Sequence, residues 1–285
     1  MIKAPGSRGR QAEPHAWAGS GSSARSEMIA LLSDLKRDHS AIAVKAEFED
    51  EGASMEELVL LRDIASHAGL GLTLKIGGAG ALRDLKDARL LGAGTIVAPM
   101  IESQYALKKF TAAIEQVFPD IPAAERPRFH INIETAAGSA AAGEILRPPD
   151  IRRISGVILG RSDMARSLGL DAGEVNSAAM RHIALQLLSA TSSRRLSFGI
   201  GGNICGNSVK FMRGLPEPGI DSFETRKVVF RCPGAFKSGP AAGIQKALRF
   251  ELLWLRHKQA HYGRLAAEDT GRIRSIAAKC SFKPS

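Results

Sequence analysis

Cysteine is scarce in this 285-residue chain: Cys205, Cys232 and Cys280 are the only three, and no two stand at close spacing. That excludes a disulfide framework and a clustered zinc site, and it fits a reducing, cytoplasmic setting. Aromatic residues make up only 5% of the chain, with two Trp and two Tyr. No apolar run approaches the roughly 20 residues of a membrane-spanning helix. No GxGxxG or GxxxxGK[ST] follows any expected strand, so a nucleotide-binding doubly wound sheet has no support. The first residues, MIKAPGSRGRQAEPHAWAGSGSSARSE, lack the apolar centre of a secretory signal.

Acid is also in short supply, and the net charge is +10. Its location matters more than its size. Residues 1–26 carry four basic residues against Glu13, and residues 226–285 carry thirteen against three acids, so the intervening chain has a net charge of −3. The basic excess therefore sits on the flanks, away from the acid-bearing strands. The charge therefore gives no support to a nucleic-acid partner, and solvated flanks account for it.

What is present is alternation. Residues 1–26 have no periodicity and read as a disordered leader. A helix is expected over 27–38. Strands are expected over 41–48, 70–76, 95–100, 129–133, 157–159, 197–200 and within 220–230, with helices between them. Alternating strands and helices argue for a parallel sheet with crossover helices. The count is seven strands where a closed (β/α)8 barrel needs eight, leaving one hidden, missing or replaced. The expected layout is a leader over 1–26, a TIM-barrel-like domain over 27–235 and a helical extension over 236–285. On the helix expected over 240–261, Ile244, Ala247, Leu248, Leu252 and Leu255 form a stripe that Phe250, Leu253 and Trp254 widen. A stripe this broad suggests a partner subunit, and so a homo-oligomer.

The functional signal lies between Phe129 and Gly169. Ile131-Asn132-Ile133 runs into Glu134, and Val157-Ile158-Leu159 runs through Gly160-Arg161-Ser162 into Asp163. Each run is followed by helical sequence. Parallel strands in such a repeat point their C-terminal ends to one rim, so the two acids converge on one mouth. Converging carboxylates with room for water suit Mg²⁺ or Mn²⁺. Lys75 ends another strand, followed by Gly77 and Gly78, which permit close backbone approach to an anionic ligand. Glu102 is either a substrate contact or a favourable charge at a helix start. Ser162, and Asn203 in the loop GGNICGN, are further candidate substrate contacts. In a closed barrel the charges on the strand 41–48 need partners or a ligand.

The runs TIVAPMIES, IET and GVILGRSDMARSLGL resemble the HpcH/HpaI aldolase and citrate lyase β-subunit family over roughly residues 41–230. The resemblance implies a TIM barrel in which Glu134 and Asp163 bind a divalent ion, and the ion holds a pyruvate-like 2-oxo acid or its enolate. It puts Lys75 where the family has a substrate-binding Arg. The family's loop His is absent here: the segment is EFEDEG, with Asp50 near that position. Arg161 stands where the aldolase branch often has Pro. The expected function is a metal-dependent carbon–carbon lyase or aldolase acting on a 2-oxo acid or acyl-type substrate. Lys75 and Arg161 would supply positive charge, and Glu47, Glu49 or Asp50 a base. The alternatives are condensation or phosphoenolpyruvate-type rearrangement on the same scaffold, and a non-catalytic ligand-binding barrel.

Overall fold

The computed structural model describes residues 21–147 and 149–280. The chain order is α1 (Gly21–His39), β1 (Ala41–Glu47), α2 (Met55–His67), β2 (Gly71–Lys75), α3 (Leu82–Leu90), β3 (Thr95–Ala98), α4 (Gln104–Val117) and β4 (Arg128–Ile133). Then come α5 (Ala136–Ala140), α6 (Ala142–Ile145), β5 (Gly156–Gly160), α7 (Arg161–Ser167), α8 (Ala178–Ser192), β6 (Ser197–Gly201) and α9 (Ser208–Arg213). The chain closes with β7 (Ser222–Glu224), β8 (Val228–Arg231), α10 (Gly234–Lys237) and α11 (Pro240–Cys280). The first twenty residues of the expected leader lie outside the described residues. The first helix starts at Gly21, six residues before the expected start.

The eight strands form a closed barrel in sequence order. Each successive pair from β1–β2 to β6–β7 is parallel. The eighth differs from a regular (β/α)8 repeat, because β8 runs antiparallel to both β7 and β1. The single strand expected within 220–230 is a hairpin. It folds back at Thr225-Arg226-Lys227, where the Val228 amide donates to Thr225 Oγ1 at 3.1 Å and the Thr225 amide to the Val228 carbonyl at 3.0 Å. This hairpin supplies the missing strand, and its turn lies at the C-terminal mouth of the barrel.

Strand periodicity places alternate side chains on opposite faces. The outward residues Val44, Leu72, Leu74, Ile96, Ile131, Ile133, Val157 and Leu159 are buried in one core under the helices. The inward residues Lys45, Glu47, Lys75 and Asn132 are also buried but polar. Helix starts are set by local chemistry: Ser54, Ser103 and Ser177 each accept a backbone N–H three residues on. On α11, Ile244, Ala247, Phe250 and Trp254 are buried, as are Met28, Leu32 and Leu35 of α1, the helix it packs against. Each of the buried Met, Leu, Ile and Phe side chains among them contributes roughly 1.5–3 kcal/mol. Leu252 and Leu255 stay about half exposed, at 47% and 51%. The expected stripe thus divides between an intramolecular face and a free one. No described helix is long and apolar enough to cross a membrane.

Candidate active site

A cavity of about 230 Å³ opens at the C-terminal ends of the strands, and it is lined by six carboxylates and three cations. Glu134 follows β4 directly and is 1% exposed. The Met100 amide donates to its Oε1 at 3.0 Å, and Asn132 Nδ2 donates to its Oε2 at 2.8 Å. Met100 holds φ at 45°, a left-handed conformation uncommon for a non-glycine residue, with its N–H on the carboxylate. Lys75 Nζ lies 3.3 Å from Glu134 Oε1 and 3.4 Å from Oε2. Burial, and secondarily Asp163, push the Glu134 carboxyl above its usual range, against the pull of Lys75 and the two donors. Burial would lower the Lys75 ammonium, but the charge of Glu134 and the contact with Glu49 outweigh it and hold it above the usual lysine range.

Two glycines make room for this arrangement. A Cβ on Gly160 would lie 2.8 Å from Glu134 Cβ, so β5 approaches the acid only because residue 160 has no side chain. A Cβ on Gly202 would collide with the backbone of Ser162, and Gly202 holds φ at 80°. Asp163 lies in the first turn of α7, lines the same cavity as Glu134, and accepts from Arg166 Nη1 at 2.8 Å. Ser162 and Asn203 line it too. Glu49 and Asp50 reach it from the β1–α2 loop: Glu49 Oε2 is 2.7 Å from Lys75 Nζ, and Asp50 Oδ2 accepts from Arg226 at 2.6 Å.

Other expected residues stand elsewhere. Arg161 is fully buried, and its guanidinium turns into the wall behind the mouth. It donates to the carbonyls of Gly201, Gly202 and Val175, to Asn176 Oδ1 and to Ser208 Oγ, and it stacks over Phe211. Every donor position it offers is directed at protein, so it braces the β5–β6 wall rather than carrying charge to a substrate. Burial lowers it to about 10, which leaves it protonated at neutral pH. Glu102 accepts from Thr135 Oγ1 at 2.6 Å, and Gly77 donates its amide to Asp84 at 2.6 Å. Among the described residues, Glu102, Gly77 and Gly78 do not line the cavity.

The sequence reading also missed members of the site. Lys45 pairs with Glu224, and its Nζ lies 3.0 Å from Glu47. Arg226 and Thr225 enter from the hairpin turn. Alternating charge on β1 signals that Lys45 and Glu47 face inward and need partners, but Glu224 lies 179 residues away along the chain.

The donor set at the mouth is all oxygen, which fits a hard divalent ion. Among the described residues there is no group of three or more His, Cys, Asp or Glu that could hold a metal. Glu134 and Asp163 are two acids of the cavity lining, and Asn132 of the same lining brings a further oxygen. Asn132 Nδ2 is committed to Glu134, and its buried Oδ1 has no hydrogen-bond partner. An orphaned buried acceptor in a cavity lined by two such carboxylates is what a cation would satisfy. Magnesium or manganese therefore fits the residues present.

A parallel-stranded barrel with a charged cleft over its strand ends defines an enzyme scaffold whose chemistry sits at one rim. Residues 78–196 match the family model of HpcH/HpaI aldolase/citrate lyase, which supports an enzyme of carbon–carbon lyase type. Three solved structures share the fold. An HpcH/HpaI aldolase from Desulfitobacterium hafniense DCB-2 aligns at TM-score 0.56 and 13% identity, over 77% of this chain and 86% of that one. The citrate synthase SbnG aligns at 0.56 and 14%, over 78% and 89%. An HpcH/HpaI aldolase/citrate lyase family protein from Burkholderia cenocepacia J2315 aligns at 0.54 and 17%, over 79% and 89%. At these identities the likeness is one of fold. Comparison with curated protein sequences gives no match.

Proposed function

We propose that the protein is a divalent-metal-dependent lyase of the aldolase type, cleaving a 4-hydroxy-2-oxo acid into a carbonyl fragment and the enolate of a pyruvate- or oxaloacetate-like 2-oxo acid, or acting on an acyl-type relative. The observation that carries this reading is the orphaned Asn132 Oδ1 beside Glu134, in a cavity that Asp163 also lines. Glu134, Asp163 and the Asn132 oxygen would hold Mg²⁺ or Mn²⁺, which supplies Lewis acidity toward the carbonyl oxygen of the substrate.

The chain's own groups do the rest. Lys75 receives the carboxylate of the 2-oxo acid and places positive charge where the enolate collects electrons. It is preorganised for this by Glu134 and Glu49, which hold its ammonium at the cavity wall. Glu49 is the base nearest that ammonium, and Asp50 the next along the same loop. Either takes the hydroxyl proton as the carbon–carbon bond breaks and the bonding pair moves to the enolate carbon. Two amide and side-chain donors fix Glu134, so it keeps its orientation through the reaction.

The test is retro-aldol turnover with Mg²⁺ or Mn²⁺ in the wild type, Glu134→Ala and Asp163→Ala. Both variants lose divalent-ion binding by calorimetry and lose turnover. A wild-type protein that binds no divalent ion sinks the reading. The same residues serve condensation, the reverse bond change, and product analysis with pyruvate, oxaloacetate and phosphoenolpyruvate separates the directions. The half-exposed Leu252 and Leu255 on α11 further support a homo-oligomer built on that helix.

A further inference from the structure

The three cations that line the mouth are not held alike. Lys45 is buried between Glu47 and Glu224, and both of those acids belong to strands. Its partners are fixed by the barrel. Lys75 and Arg226 instead share one loop. Glu49 Oε2 lies 2.7 Å from Lys75 Nζ, and its neighbour Asp50 takes the Arg226 guanidinium at 2.6 Å. The other acids near Arg226 are farther, with Glu51 Oε1 at 3.8 Å and Glu47 Oε2 at 4.0 Å. The Arg226 and Asp50 side chains are 45% and 59% exposed, so water reaches this contact. Exposed pairs of this kind contribute only about 0–1 kcal/mol and exchange readily for a ligand anion.

Two carboxylates from adjacent loop residues thus make the shortest contacts of Lys75 and Arg226, whereas both partners of Lys45 are on strands. Arg226 owes its place to the β7–β8 turn, the feature that departs from a regular barrel repeat. Its planar fork suits a carboxylate better than an ammonium does. The opposing field is strong, because six acids line the cavity against three cations. A second negative charge on a substrate is penalised there unless one cation receives it.

We infer that Arg226 is the specificity-determining residue of the mouth, and that it takes the distal carboxylate of a dicarboxylic 2-oxo acid by exchanging it for Asp50. The substrate lies with its 2-oxo end toward Lys75 and Glu134 and its second carboxylate at the hairpin turn. The Glu49–Asp50 pair mimics those two carboxylates when the site is empty of substrate. This inference rests on the 2-oxo acid reading above and adds the length and charge of the molecule.

The test is equilibrium binding by calorimetry, with Mg²⁺ present, of two ligands that differ only at the far end: 2-oxoglutarate and 2-oxopentanoate. The wild type prefers the dicarboxylate by about tenfold, the size of one charge-assisted contact. In Arg226→Gln that ratio falls to near one, and in Arg226→Lys part of it returns. In Asp50→Asn the dicarboxylate binds several-fold more tightly than in the wild type, because its internal competitor is gone. A folding defect lowers both affinities and leaves the ratio intact, so the ratio reads Arg226 alone. If the wild type does not discriminate, or the preference survives Arg226→Gln, this inference is overturned and the lyase reading stands. If neither ligand binds with or without Mg²⁺, the lyase reading itself falls and takes this inference with it.

Discussion

The Lys75 ammonium sits 3.3 Å from Glu134 Oε1 and 3.4 Å from Oε2, facing both oxygens of the most enclosed acid at the mouth. It neutralises that acid from the position of a rival cation. Lys75→Met therefore has two opposite effects. Divalent-ion affinity rises, because the competing charge is gone, while affinity for the 2-oxo acid falls about tenfold with the loss of one charged contact. Without any ion the variant is less stable by about 3–5 kcal/mol, since Glu134 is left buried and unpaired. Thermal unfolding with and without Mg²⁺ reads the stability loss and the gain in ion affinity: the Mg²⁺-induced rise in Tm is larger in the variant than in the wild type. An equal rise in the two proteins refutes the competition.

Arg161 supports the wall rather than the reaction. Its guanidinium binds three backbone carbonyls and two side chains and is fully buried. Arg161→Ala leaves those acceptors unsatisfied and opens a void, at a cost of about 3 kcal/mol or more in denaturant unfolding. Arg161→Lys does not rescue it, because a single ammonium cannot replace the fork. Loss of turnover with unchanged stability would return Arg161 to the reaction.

His130 makes stability depend on pH from the other end of the barrel. Its Nε2 is enclosed and unpartnered, although the residue as a whole is only half-buried. Burial, then the charge of Arg128, lower it from 6.5 to about 4. The unfolded chain takes up this proton below about 6.5 and the folded chain only below about 4, so stability falls as the pH drops through that window. The full difference amounts to about 3 kcal/mol. His130→Asn flattens the stability curve between those pH values, and an unchanged slope in urea titrations refutes the assignment.

The free face of α11 gives a prediction about assembly. Leu252 and Leu255 are about half exposed while Phe250 and Trp254, on the same helix, are buried. Replacing both leucines with Asp shifts the protein to a smaller species in light scattering and leaves its Tm within a few degrees. A wild-type monomer overturns the proposed oligomer.

The barrel and its two rim acids were legible along the chain because they are local patterns. A strand alternates every second residue, a helix repeats near every fourth, and an acid at a strand end keeps its address whatever packs around it. Hence the residues that line the cavity beside Glu134 and Asp163 include the expected Lys75, Glu49, Asp50, Ser162 and Asn203. The hairpin was not legible. Alternation continues across Thr225-Arg226-Lys227, and the turn has no glycine, proline or asparagine; the Thr225 hydroxyl stabilises it instead. Arg161 was misread for a related reason. It stands two residues from Asp163 at the same strand end, yet the carbonyls of Gly201 and Gly202 draw it inward while Asp163 lines the cavity. Lys45 and Glu224 meet only because the barrel closes, 179 residues apart along the chain. Periodicity settles which residues face inward. Which inward charge meets which is settled by barrel closure and strand register, and no short-range pattern encodes either.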